Sequence, residues 1–432
     1  MLKERLQQQI PRWRQEMQTL IRHHGAVTVD AVSVEQLYRG MRGVRSIVCD
    51  TSFVDPQRGL FIRGRHISEL TERLPEEIFY LLCSGELPDA SELQQLQNEL
   101  RSRQQVPDYI WQMVRQLPGD SQPMAIFSLC WLAMEHESVF LREYRRGLPR
   151  ERHWEATLED ALNILAKAPV IAAGIYRLKY HQQEPIPPRS DLDWGANYAY
   201  MLGLDTDLEV FQQYIRKYLI VHSDHEGGNV TVNSSRIVNS ALSDLYFSIS
   251  AGINGLAGPI HGMANQESVQ FAQSIYQHFH GIPTDVQLEQ YIWDYLDQGK
   301  IIPGFGHAVL RDQDPRFQVL HRFGREVGVD NALFQIIDAL SRVVPPILKK
   351  IGKVKDPYPN IDAISGVLLY HFGMTEMDYY PVLFALAQIM GISAQIIVSR
   401  ALMLPIFRPR SVTTEWLKQH VESIEQGKTT GK

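Results

Sequence analysis

Apolar residues recur at helical spacing along most of the 432-residue chain, and runs that alternate with period two are scarce. The segment "SELTERLPEEIFYLLCSGELPD" sets Ile78, Leu81 and Leu82 about one helical turn apart and stops at Gly85. "ATLEDALNILAKAPVIAAGIYRLKY" carries Leu158, Ala161, Leu162 and Leu165 on one stripe. "TEMDYYPVLFALAQIMGISAQ" opens with Thr375 and Asp378 at capping-box-like spacing, with Pro381 in or near the first turns as a candidate kink. The best strand candidate, "GAVTVDAVSV" at 25–34, is short. No repeat, low-complexity segment or heptad array interrupts this pattern, so the expected fold class is all-α.

Length allows two domains and a large core. A net charge of −6 argues against nucleic acid as the main partner, although local arginine clusters can still hold small anions. Cys49, Cys83 and Cys130 are far apart and form no CxxC pair, which suits a reducing compartment and excludes a disulfide framework. The opening "MLKERLQQQIPRWRQEMQTL" contains Glu4 and Glu16 and lacks an apolar block, so it fits neither a secretory signal nor an acid-poor organellar presequence. The longest apolar run, 382–399, is interrupted by Gln388, Gly391, Ser393 and Gln395 and reads as a buried helix, not a membrane span. A cytoplasmic protein with no membrane partner is expected. The carboxy-terminal "SIEQGKTTGK" reads as a mobile tail.

Two regions depart from plain helical composition. In residues 221–267, Gly252, Gly255 and Gly258 recur every three residues among Ser248, Ser250 and Ala251. Neither GxGxxG spacing nor a preceding strand is present, so close helix packing is favoured over a phosphate cradle. His225 heads "HEGGN", and His261 sits between Pro259 and Gly262 in "GPIHGMAN". The second region joins "IIPGFGHAVLRDQDPRF" (301–317) to "GKVKDPYPNIDAISG" (352–366). There Pro357 and Pro359 hold the chain extended before Asp362, which is either a solvated helix cap or an aimed base.

Three chemistries could use histidines and an aspartate in such stiff settings. His222, Asp224, His225 and Glu226 cluster, but HxxH followed by Glu is not the HExxH zinc motif, and no metal is expected. No GxSxG elbow marks a serine nucleophile, and the cysteines lie in apolar surroundings. Acid–base chemistry on a carbon acid remains: a carboxylate removes a proton beside a carbonyl, a neutral imidazole donates to the developing enolate, and a second histidine protonates the electrophile. Arginines would anchor substrate carboxylates.

"HSDHEGGN", "GLAGPIHGMANQE", "PGFGHAVLRDQDPRF", "PYPNIDAISGVLLYHFGMTEMDYYPVLF" and "SRALMLPIFRP" together resemble citrate synthase, in the branch typified by the mitochondrial enzymes. The likeness runs from "GMRG" near residue 40 to Arg408. It implies an all-helical homodimer, with a large domain (1–260 and 369–432) and a small domain (261–368) closing over the substrates. It implies condensation of acetyl-CoA with oxaloacetate, with no tightly bound cofactor. By the resemblance Asp362 would abstract the methyl proton, His261 would stabilise the enol, and His307 would donate to the oxaloacetate carbonyl. His225 and Arg316 would hold oxaloacetate beside His222 and Gln388, with Arg408 reaching in from a second subunit. Arg42, Arg150, Gly304, Gly306, Arg311 and Lys355 match coenzyme A contacts, the two glycines letting backbone approach the adenine end.

One departure stands out. The family pattern carries an arginine where this chain has Gln388. Losing a charged partner for a buried carboxylate is worth about 2–5 kcal/mol. Arg400 could substitute, the acceptor could be another keto acid, or oxaloacetate could bind weakly. A 2-methylcitrate synthase would use propionyl-CoA with the same residues, and a non-catalytic binding protein would be expected to have lost one of Asp362, His261 and His307.

Overall fold

The computed structural model describes residues 2–425. The helices are α1 (Leu2–His24), α2 (Val34–Tyr38), α3 (Pro75–Ser84), α4 (Ala90–Arg103), α5 (Asp108–Gln116), α6 (Pro123–Ala133), α7 (Val139–Arg145), α8 (His153–Tyr176), α9 (Trp194–Leu202), α10 (Leu208–Val221), α11 (Val230–Ser240) and α12 (Leu245–Ile253). They continue as α13 (Ala264–Phe279), α14 (Asp285–Asp297), α15 (Pro315–Glu326), α16 (Ala332–Ile351), α17 (Asp362–His371), α18 (Tyr380–Ala401) and α19 (Thr414–Glu425). A small antiparallel sheet, β1 (Ser52–Asp55), β2 (Gly59–Ile62) and β3 (Arg65–His66), completes the elements. The fold is all-α, as the periodicity requires.

The strand candidate at 25–34 is not a strand. Val27, Val29 and Val32 are exposed, and no strand lies beside them to complete a ladder. The sheet forms instead at "SFVDPQRGLFIRGRH", where Gly59 turns the chain with φ +92° and Val54, Leu60 and Ile62 point inward. The cap read at Thr375 is also absent. Residues Met377–Tyr379 make one 3₁₀ turn, and Pro381 falls in the first turn of α18, where its missing N–H is harmless and no kink is needed. Of the carboxy-terminal tail, Ser423–Glu425 belong to α19, and 426–432 lie outside the described residues.

The core is organised by α8 and α18, which pack on each other and are buried on nearly every face. Fully covered side chains such as Leu383, Leu386 and Ile389 each contribute on the order of 2 kcal/mol. Three helical stretches among the described residues, Pro123–Arg145, Arg150–His181 and Met377–Ala401, are long and apolar enough to cross a membrane by length and composition, and 50%, 83% and 89% of their apolar windows is buried inside the protein. Gly252 does serve packing. A Cβ there would meet Ser235 Oγ at 1.8 Å and the Thr231 carbonyl oxygen at 2.6 Å, so α11 and α12 touch only because it is missing.

Helices α13 to α17 form a second group. Within it α13 packs on α16 and α17, α14 on α16, and α15 on α17. The group meets the rest of the chain where α15 lies against α10 and β2. The loop bearing His307 meets the end of α10 nearby, the His307 ring 5.5 Å from that of His225.

Candidate active site

The loop at 304–307 is laced to the segment before α17. Gly306 N–H donates to the Tyr358 carbonyl (3.0 Å), Asn360 N–H to the Gly304 carbonyl (2.9 Å), and Asn360 Nδ2 to the Gly306 carbonyl (2.8 Å). Gly304 has φ +76°, and a Cβ there would come within 2.7 Å of Ala363 Cα and Ser268 Oγ. The space this glycine leaves is therefore filled by the start of α17, not open to a ligand. This lacing ties the loop that bears His307 to the segment that leads into Asp362.

His307 Nδ1 accepts from the N–H groups of Val309 and Leu310, both at 3.0 Å. Two donors on Nδ1 place the ring hydrogen on Nε2. Burial, then the neighbouring Arg316 guanidinium, push its pKa down to about 4, so the ring is a neutral Nε2–H donor at physiological pH. The His225 ring lies 5.5 Å from it, and His225 is likewise held neutral by burial first and Arg316 second.

Arg316 is buried at the start of α15, where Nε and Nη2 clasp Asp314 at 3.0 and 2.8 Å. Asp314 caps that helix and also accepts from the Ile361 N–H at 3.1 Å. Burial alone would raise the Asp314 pKa, but Arg316 outweighs it and the carboxylate stays charged. Among the described residues, Arg316 Nη1 makes no hydrogen bond.

Asp362 is the first residue of α17 and does not cap it. The capping bond comes from Asn360 Oδ1, which accepts from the Asp362 N–H at 2.9 Å. Among the described residues the Asp362 carboxylate itself accepts no hydrogen bond. Burial raises its pKa to about 6; Arg316 opposes the rise, while Asp314 and Glu267 add to it. The structure thus removes the helix-cap reading and leaves an under-solvated carboxylate.

The 222–226 loop is fixed by Asp224, which accepts from Thr51 Oγ1 (2.5 Å), Ser52 Oγ (2.9 Å) and Gln395 Nε2 (2.9 Å). Its oxygens are committed to those donors, and no group of three or more potential metal ligands occurs among the described residues. Gly391 lets α18 approach this loop, since a Cβ would meet the Ser223 carbonyl at 2.4 Å. His222 stacks on Tyr218 at 4.1 Å and gives its Nδ1 hydrogen to that residue's carbonyl (2.8 Å). Burial lowers its pKa to about 3. The Nε2 atoms of both His222 and His225 are buried and unpartnered. Orphaned polar atoms of this kind mark where a ligand would complete the network.

His261 lies on the turn before α13 and hydrogen-bonds through Nε2 to Thr231 Oγ1 at 2.8 Å, leaving Nδ1 free. Burial lowers its pKa. Phe384 links it to the other histidines, its ring 6.5 Å from His261 and 5.1 Å from His222. One turn along α18, Gln388 is buried with Oε1 unpartnered. Arg400 does not replace the missing cation: its Nη2 donates to the Ser243 carbonyl at 2.8 Å and its guanidinium covers the Phe140 ring at 4.5 Å.

Several basic residues stay outside this constellation within one chain. Arg150 donates to the Met403 carbonyl at 2.7 Å, so its guanidinium anchors the carboxy-terminal segment. Arg408 is exposed and lines a separate groove with Ser46, Arg236 and Arg400. Arg42 and Lys355 are exposed. Arg311 is tied by its backbone N–H to the Pro56 carbonyl at 2.7 Å, beside the β1–β2 turn. Sequence reading missed Asp314, Asn360 and Thr231 and took Asp224 only as a metal candidate. Asp314 was signalled by Asp-Pro at a helix start; nothing local pointed to the other two.

Neutral histidines, a carboxylate titrating near 6 and a buried arginine define an enzyme of acid–base type acting beside an anionic group. The chain belongs to the citrate synthase family: the model described as "Citrate synthase, C-terminal domain" matches residues 40–410. It is 41% identical to citrate synthase 4, mitochondrial, of Arabidopsis thaliana, covering 97% of this chain and 90% of that one. It is 40% identical to the mitochondrial citrate synthase of Saccharomyces cerevisiae over 98% of this chain and 90% of the other. A solved citrate synthase from Pyrobaculum aerophilum superposes with a TM-score of 0.77 at 29% identity, covering 87% of this chain and 92% of that one.

Both sequence relatives are named as mitochondrial, which overturns the cytoplasmic expectation. That expectation rested on a segment that turns out to be α1, with Leu2, Leu6 and Ile10 buried in the core. Its acidic residues belong to that helix.

Proposed function

We propose that the chain condenses acetyl-CoA with oxaloacetate to give citrate and coenzyme A. Asp362 takes a methyl proton from acetyl-CoA while the free nitrogen of His261 donates to the thioester oxygen as the enol forms. The enol carbon attacks the oxaloacetate carbonyl, whose oxygen is polarised by the Nε2–H of His307. Arg316 Nη1 and the unpartnered nitrogens of His222 and His225 hold the keto acid, and hydrolysis of the citryl thioester releases the products. The observation that carries this reading is the Asp362 carboxylate, free of hydrogen bonds among the described residues and raised toward neutrality, with Arg316 acting on both it and the neutral His307. Gln388 supplies hydrogen bonds without charge on the acceptor side.

A homodimer is part of the proposal. Val27, Val29, Val32, Tyr38, Phe407 and Trp416 are exposed on the two terminal arms, and a second copy would cover them. Arg408, on the same arm, and Arg42 and Arg150 would then act across the interface on keto acid and coenzyme A. The small domain is drawn as 261–371, because an end at 368 would cut α17.

The test is thiol release from acetyl-CoA. It should depend on oxaloacetate, exceed the rate with propionyl-CoA, and fall by about 10²–10⁴-fold in Asp362→Asn. Release that ignores oxaloacetate, or good turnover only with a monocarboxylate keto acid, would overturn the assignment.

A further inference from the structure

We propose that the groove between α15 and α16 is a second ligand site, built for a small anion bearing several phosphate groups. An open cavity of about 830 Å³ runs between these helices, floored by Pro345 and Pro346 and closed at one end by Tyr358 and Pro359. Arg322, Arg325 and Lys349 line it against one carboxylate, Glu326, on a protein whose net charge is −6. Among the described residues neither Arg322 nor Arg325 has an acceptor, unlike Arg342 nearby, which is paired with Asp338 and Asp285. The two free guanidiniums lie about one helical turn apart on α15, and Lys349 faces them from α16, its Nζ 2.8 Å from the Tyr358 hydroxyl. Three cations converging from two helices suit a chain of linked phosphates better than one monoanion.

The groove is distinct from the reaction site. At about 100° per residue, Phe317, Gln318, His321, Arg322 and Arg325 centre roughly half a turn around α15 from Arg316. Its far wall still reaches the chemistry, because Tyr358 accepts the Gly306 N–H in the loop that carries His307. The aromatic ring of Tyr358 lies under Lys349 at 4.6 Å, and that of His321 is clamped between Phe317 and Phe334, so this wall is held in place by ring packing. This site does not depend on the catalytic assignment.

Calorimetric titration of the full-length protein with inorganic tripolyphosphate, and separately with a nucleoside triphosphate, tests the proposal. Each arm is run first without and then with saturating coenzyme A and oxaloacetate. Wild type should bind tripolyphosphate, and affinity should fall at least ~10-fold in Arg322→Ala/Arg325→Ala and weaken with added salt. Tighter binding of the nucleotide would assign part of the recognition to the aromatic wall, and equal binding would assign it to phosphate alone. Lys349→Met serves as an independent variant, since all three side chains lie at the surface. Unchanged affinity in the double variant, or complete loss of binding when coenzyme A is added, would overturn the proposal.

Discussion

Asp362→Asn should stabilise the protein at pH 8 while abolishing its chemistry. The folded environment raises this carboxyl from its ordinary 3.8 to about 6. Roughly two pKa units at 1.36 kcal/mol each put the strain of keeping the carboxylate charged on the order of 3 kcal/mol. The favourable field at the start of α17 offsets this by about 0.3–1 kcal/mol, so a net gain near 2 kcal/mol is expected for the neutral amide. A raised folded-state value means the native protein binds the proton more tightly than the unfolded chain. Stability conferred by this group is therefore intact below about pH 4 and is lost as pH climbs through 6. The advantage of asparagine should be present at pH 8 and shrink toward pH 5. Urea denaturation of both proteins at the two pH values measures it. Destabilisation by asparagine, or a difference independent of pH, would show that Asp362 makes stabilising bonds and would refute the reasoning.

The same titration shapes catalysis: kcat/KM for acetyl-CoA should rise with pH through a midpoint near 6, because Asp362 must lose its proton while His307, near 4, is already neutral; a midpoint near 4 would shift the burden to another group. Gln388→Arg should tighten oxaloacetate binding by some tens-fold or more, from the 2–5 kcal/mol of a charged partner, as read by oxaloacetate KM. An unchanged KM would mean that Arg316 and a partner-derived cation already neutralise both carboxylates. Gly304→Ala adds a Cβ 2.7 Å from Ala363 Cα at a positive φ and should destabilise by about 2–4 kcal/mol. Displacing His307 should lower its kcat more than it raises KM.

The helices were legible because Leu158, Ala161, Leu162 and Leu165 repeat with the period of α8, and the burial of α18 was legible because its polar interruptions are too frequent for lipid. The hairpin at 52–66 was not. Its strands are only a few residues long and leave too few positions for alternation to register, whereas 25–34 alternates well but has no neighbour to pair with. The candidate site was visible through its chemistry: histidines and an aspartate set among glycines and prolines. Its geometry was not, because it rests on contacts between distant segments. Asn360 takes over the capping that Asp362 seemed suited for, and Asp314 both caps α15 and aims Arg316. Arg150 showed the opposite failure, since a basic residue in a plausible motif turned out to anchor Met403.

The most direct test of the convergence at His261, His307 and Asp362 is a crystal structure of the protein with oxaloacetate and a non-reactive acetyl-CoA analogue. The account predicts the Asp362 carboxylate against the carbon that mimics the methyl group, His261 Nδ1 at the thioester-like oxygen and His307 Nε2 at the keto oxygen. Ligands bound away from these three side chains, or reached by only one of them, would contradict it.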